Sequence, residues 1–117
     1  MKKKKLQEIV IDALDDLKGK SIETLNVQGL TSVTDTLIIV SGTSNRHVKS
    51  LADNAIVKAK QAGFTPIGIE GEDVGEWVLV DFGELVLHVM LPATREFYDL
   101  ERLWTVPAEI EGKDKKY

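Results

Sequence analysis

Apolar residues open the chain at a helical interval. Leu6, Ile9, Val10, Ala13, Leu14 and Leu17 fall on one stripe, spaced i, i+3, i+4, i+7, i+8 and i+11. Gly19 follows, suited to close that helix with a left-handed cap. The period then changes. SIETLNV, residues 21–27, sets Ile22 and Thr24 against Glu23 and Leu25, which predicts a modest strand at a sheet edge. TDTLIIVSG, residues 34–42, contains the continuous run Leu37-Ile38-Ile39-Val40, the pattern of a central strand covered on both faces. Gly42 and Thr43 break it, and Ser44 is a good N-cap. Val48, Leu51, Ala52, Ala55, Ile56 and Ala59 then repeat the helical stripe, with Gly63 to close it. TPIGIEG, residues 65–71, predicts a strand with Pro66 near its start, where a missing N–H does least harm. Residues 70–75 read as a polar loop.

The most informative segment is EWVLVDFGELVLHVML, residues 76–91. Two apolar segments flank Gly83-Glu84, and glycine at the first position suits a two-residue hairpin turn. That turn sets the register: Val80 opposite Leu87, Val78 opposite Val89, Asp81 opposite Val86, Leu79 opposite His88, Trp77 opposite Met90. Opposite residues share a face. One face carries Val78, Val80, Phe82, Leu85, Leu87, Val89 and Leu91, and is core. The other carries Trp77, Leu79, Asp81, Val86, His88 and Met90. Its mixture of aromatic, apolar and polar side chains matches a protein-binding patch. It equally suits a face covered by another helix, with His88 and Asp81 satisfied locally.

The predicted order is α-β-β-α-β-β-β-α. A strand–helix–strand crossover over residues 45–62 implies at least one parallel pair, joined right-handed. The expected fold is α/β with α+β character: a mixed sheet of about five strands with helices packed on it.

The chain has 117 residues, enough for one domain (1–117) with a core that needs no disulfide or metal. Lysine-rich tails are expected at about 1–5 and 106–117. Cysteine is absent, which excludes a disulfide framework, thiolate metal sites and cysteine catalysis, and suits a reducing cytoplasm. No apolar run approaches the ~20 residues of a membrane span. Lys2–Lys5 begin like a secretory signal, but Glu8, Asp12, Asp15 and Asp16 interrupt any hydrophobic region. A cytoplasmic protein is therefore expected, with no membrane partner.

Charge is unevenly placed. Seven of the 15 basic residues lie at Lys2–Lys5, Lys113, Lys115 and Lys116, beside one of the 19 acidic residues, Asp114. Residues 6–112 thus carry 8 basic and 18 acidic residues, a net of −10. Such a body repels phosphate backbones and argues against direct, sequence-specific nucleic-acid binding. It favours a basic partner, or serves solubility alone.

Candidate chemistry is sparse. Gly42, Thr43 and Ser44 before a helix are arranged to cradle a phosphate, yet neither GxxxxGK[ST] nor GxGxxG is present. His47 sits near the helix start, off the apolar stripe. Asp81 and His88 share a face as an acid–base pair with no nucleophile beside them. Glu70, Glu72 and Asp73 form an acidic loop whose plainer reading is solvation. Two histidines without cysteine disfavour zinc. No catalytic residue, metal or cofactor is expected.

Three segments, SVTDTLIIVSGTSNRHVKSLAD (32–53), IEGEDVGEWVLVDFGELVLHVM (69–90) and REFYDLERLW (95–104), resemble the ribosomal silencing factor family, also called the RsfS or Iojap family. The resemblance covers about residues 5–105. One departure is Thr36-Leu37, where the family usually has one or two aromatics after the aspartate. The resemblance implies a fold related to nucleotidyltransferases without their catalytic carboxylates. It also implies binding to the large ribosomal subunit through ribosomal protein fourteen, and steric obstruction of small-subunit joining when nutrients are scarce. Free members as homodimers are implied too. A nucleotide-using enzyme on the same fold is the alternative.

The expected docking patch has Trp77, Leu79 and Met90 at its apolar centre and Asp81 and His88 as polar contacts. In FYDLERLW, residues 97–104, Phe97, Leu100 and Trp104 lie on one stripe, with Leu103 further round, and predict the packed face of a final helix. Tyr98 lies off that stripe, either stacked on Arg102 or, with Asp99, offered to a partner.

Overall fold

A computed structural model describes residues 5–27 and 34–98. Their element order is the predicted one: α1 (Leu6–Asp16), β1 (Lys20–Asn26), β2 (Thr36–Ser41), α2 (Asn45–Gln61), β3 (Gly68–Glu70), β4 (Trp77–Asp81), β5 (Leu85–Met90) and α3 (Pro92–Tyr98).

The five strands form one mixed sheet in the order β1-β2-β5-β4-β3. β1 is an edge strand, antiparallel to β2, as its alternating pattern predicted. β2 and β5 are the parallel pair. The crossover through α2 does not join these neighbours. It carries the chain from β2 to β3 at the far edge, and the hairpin then returns to place β5 against β2. The hairpin register matches expectation at all five rungs, from Trp77 opposite Met90 to Asp81 opposite Val86. Gly83 takes φ +94°, and the Asp81 carboxylate accepts its N–H at 2.8 Å.

Both long helices turn their predicted stripes onto one core. Leu6, Val10, Ala13 and Leu14 of α1 join Val48, Leu51, Ala52, Ala55, Ile56 and Ala59 of α2. They pack on Ile38, Val40, Val78, Val80, Phe82, Leu85, Leu87 and Val89 of the sheet. Asn54 crosses between the helices and donates to the Ala13 carbonyl at 2.8 Å.

Four local details differ from expectation. Leu17 is exposed, because α1 ends at Asp16 and the stripe stops with it. The left-handed residue closing α1 is Lys18 (φ 59°), and Gly19 donates its N–H to the Leu14 carbonyl at 2.9 Å. Gly19 is needed for close approach instead: a Cβ there would lie 2.8 Å from Val40 Cγ2. β3 spans only Gly68–Glu70, leaving Pro66 outside the strand.

The fourth concerns the final helix. Phe97, expected in the core, is 78% exposed, and no described residue of α3 is buried. Leu91, Thr94 and Arg95 are half-buried, so the sheet-facing line of α3 runs through them to Tyr98. Phe97 stands two positions from Arg95, about 200° round the helix, and points away. Leu100, Arg102, Leu103 and Trp104 lie outside the described residues.

Candidate docking face

The second face of the sheet differs from the helix-covered one. Leu37 and Val86 pack with Val27, and Ile39 packs with Met90, flanked by the half-buried Leu25, Leu79 and Trp77. Leu37, at the departure from the family's aromatic pattern, is thus a packing residue.

Two of the expected contact residues are buried on this face. His88 is 2% exposed and Met90 is fully buried, so neither offers surface to a partner. The reason is their strand. β5 is the middle strand of five, and both of its faces are covered. Its neighbour β4 alternates between buried and half-buried, which leaves Trp77, Leu79 and Asp81 partly open. Tyr98 is half-exposed, and Asp99 lies outside the described residues.

The structure brings three of these side chains, with Phe97, into a ladder. The Trp77 indole N–H donates to His88 Nδ1 at 3.0 Å. The indole also packs against Tyr98, with ring centroids 4.7 Å apart and planes tilted by 47°. Phe97 meets Tyr98 edge-on at 4.9 Å. Aromatic pairs at such separations gain about 0.5–1.5 kcal/mol beyond the area they bury. An aromatic ridge therefore rises from a buried imidazole to an exposed phenyl ring. Burial pushes the His88 pKa down from its ordinary 6.5 to about 4, so the imidazole is neutral near pH 7.

α3 is tied to the sheet by a polar contact as well. Arg95 Nη1 donates to Ser41 Oγ at 2.9 Å, and Ser41 is 5% exposed. Neither this tie nor the outward turn of Phe97 was foreseen. The apolar period marks a stripe, but a short helix can also seat a long polar side chain against a sheet end.

The other candidate chemistry reads differently in three dimensions. The Thr43 backbone N–H donates to His47 Nδ1 at 2.8 Å, and the His47 N–H donates to Ser44 Oγ at 3.1 Å. The Gly42 N–H donates to the Met90 carbonyl at 3.0 Å, so two backbone donors of the Gly42–Ser44 turn, those of Gly42 and Thr43, are already bonded. His47 is itself engaged, its Nε2 lying 2.7 Å from the Leu17 carbonyl oxygen. Among the described residues, no group of three or more histidine, aspartate or glutamate side chains is gathered for a metal. A groove of about 700 Å³ between α1 and the end of α2 is lined by Asp12, Asp15, Asp16, Lys58 and Phe64, among others. None of the expected contact residues lines it. No helix among the described residues is long and apolar enough to cross a membrane.

The five strands form a mixed sheet, helix-covered on one side and edged by an aromatic ridge on the other, and the fold is α/β. The family model described as "Ribosomal silencing factor during starvation" matches residues 1–116, and the chain belongs to that family. It is 49% identical over 104 residues to the ribosomal silencing factor RsfS of Chromobacterium violaceum, covering 89% of this chain and 85% of that protein. It is 44% identical over 99 residues to the Haemophilus influenzae factor, covering 85% and 97%. Mouse "Mitochondrial assembly of ribosomal large subunit protein 1" is 35% identical over 102 residues, 85% of this chain and 45% of that one. A crystal structure of a Chromobacterium violaceum protein superposes with a TM-score of 0.85 at 45% identity, covering 100% of this chain and 92% of that one. A Bacillus halodurans crystal structure gives 0.77 at 32% identity, covering 85% and 92%. The general role of the family is ribosome-associated silencing.

Proposed function

We propose that this chain acts without catalysis, in the cytoplasm, as a steric silencing factor. It docks on the large ribosomal subunit through ribosomal protein fourteen, and its bulk then obstructs the small subunit. Translation is thereby repressed under nutrient limitation. Away from the ribosome the chain is a homodimer.

The observation that carries this reading is the aromatic ridge of Trp77, Tyr98 and Phe97. Its outer rings, Tyr98 and Phe97, are 50% and 78% exposed and touch each other. Trp and Tyr are enriched among the few residues that anchor protein interfaces, and such an anchor contributes about 2 kcal/mol or more once a partner buries it. The net charge of −10 over residues 6–112 supports a basic protein partner and opposes bare RNA. Asp81, partly open at the far end of β4 from Trp77, supplies a polar contact at the edge of the docking face. The nucleotidyl-transfer alternative gains no support from the Gly42–Ser44 turn, where the Gly42 and Thr43 N–H groups are bonded within the domain.

Sucrose-gradient cosedimentation with isolated subunits, followed by a subunit reassociation assay, tests the proposal. Wild type is expected with the large subunit and to slow reassociation. Trp77→Ala is expected to keep its fold and lose cosedimentation. A folded Trp77→Ala that binds like wild type would place the contact elsewhere.

A further inference from the structure

We propose that His88 is a positioning residue of the docking face: its Nδ1 accepts the indole N–H of Trp77 and so sets the orientation in which that ring is presented. The inference rests on the docking role proposed above for the aromatic ridge.

The geometry is specific. His88 lies on the middle strand and Trp77 on its neighbour, diagonally placed, since Trp77 is opposite Met90 and His88 is opposite Leu79. The indole has one polar atom, and that atom is a donor only. On a half-exposed ring this N–H would ordinarily turn to water. Here it points inward, 3.0 Å from an imidazole that is 2% exposed. With its polar edge anchored to β5, the ring is held against Tyr98 at 4.7 Å, and Tyr98 in turn meets Phe97. His88 therefore touches no partner but determines where the ridge begins. A nitrogen that accepts this bond is unprotonated, which puts the ring's one proton on Nε2. Burial supports this by holding the imidazole neutral near pH 7.

The role makes a distinction that packing alone does not. Leucine fills the volume but accepts no hydrogen bond. Asparagine places a carbonyl oxygen close to the position of Nδ1. Indole N–H exchange, followed by ¹⁵N NMR, reads the bond directly. The Trp77 signal is distinguished from that of Trp104 by its loss in Trp77→Phe.

In His88→Leu we expect indole exchange to quicken about tenfold and affinity for large subunits to fall about fivefold, the loss of one hydrogen bond. His88→Asn is expected to restore slow exchange and to bind within about twofold of wild type. Wild-type exchange in His88→Leu overturns the proposal, and so does fast exchange with unchanged affinity. If circular dichroism shows His88→Leu unfolded, Trp77→Phe carries the test, since it keeps an aromatic ring and removes the donor. It should weaken binding about fivefold, and wild-type affinity would overturn the proposal. Should wild type itself fail to cosediment, the docking role fails, and the exchange data alone decide whether His88 orients the ring.

Discussion

His47 Nε2 lies 2.7 Å from the carbonyl oxygen of Leu17, thirty residues away. The imidazole joins the end of α1 to the turn that starts α2, because its Nδ1 also accepts the Thr43 N–H at 2.8 Å. Leu17 is the C-cap of α1 and Thr43 directly precedes the Ser44 N-cap of α2, so the ring ties the end of one helix to the approach of the other. His47→Ala should lower unfolding free energy by about 1–2 kcal/mol. Chemical denaturation measures that loss, and large-subunit binding should not change, since His47 touches none of the ridge residues.

The buried imidazole of His88 predicts an acid-sensitive fold. Its pKa is about 4 in the folded chain and ordinarily 6.5. Above pH 6.5 both states hold the ring neutral, and this group leaves stability independent of pH. Between pH 6.5 and 4 the unfolded chain takes up a proton that the folded chain excludes. Stability should therefore fall with falling pH, by up to about 1.4 kcal/mol per unit and about 3 kcal/mol in all. Urea titrations at pH 7.5, 6 and 5 on wild type and His88→Leu measure the slope, which should be shallower in the variant.

Gly71 should tolerate no side chain. It has φ +84°, and a Cβ there would overlap the Trp77 carbonyl oxygen, which is backbone and has little room to yield. Gly71→Ala should lose about 2–4 kcal/mol through left-handed strain and displacement of β4. Thermal unfolding gives the stability loss. Because the displaced residue is Trp77, binding should weaken as well.

Arg95 should govern the order of α3. No described residue of this helix is buried, and the Ser41 hydrogen bond is one of its ties to the sheet. Arg95→Ala leaves the buried Ser41 hydroxyl without that donor and should lower stability by about 1 kcal/mol. Amide exchange over residues 92–98 should quicken about tenfold, while the β4–β5 hairpin keeps its protection. Uniform acceleration across the chain would instead identify Arg95 as a general stability residue.

Much of the fold was legible because its signals are local. The stripes on α1 and α2 were readable from spacing, since a helix of 3.6 residues per turn with one wet side imposes that spacing. The hairpin register followed from Gly83-Glu84, because a two-residue turn leaves one pairing and a slip would turn an apolar face to water. The candidate site was less legible. Trp77, Leu79 and Asp81 are partly open as expected, but His88 and Met90 share their face and are buried. Sequence pattern groups residues by face. It does not say how far toward the middle of the sheet a strand lies.

The eight elements, their order, the helical stripes and the two faces of the hairpin were determined by the sequence itself, through interactions between residues close along the chain. Tertiary structure alone decided that β5 lies between β2 and β4, that His88 sits beneath Trp77, and that Phe97 points away from the sheet. Each of these depends on contacts between distant segments, Ser41 with Arg95 or Trp77 with Tyr98, which a local period does not encode. The ridge proposed to dock therefore belongs to the packing of β4, β5 and α3 together, and to no one of them.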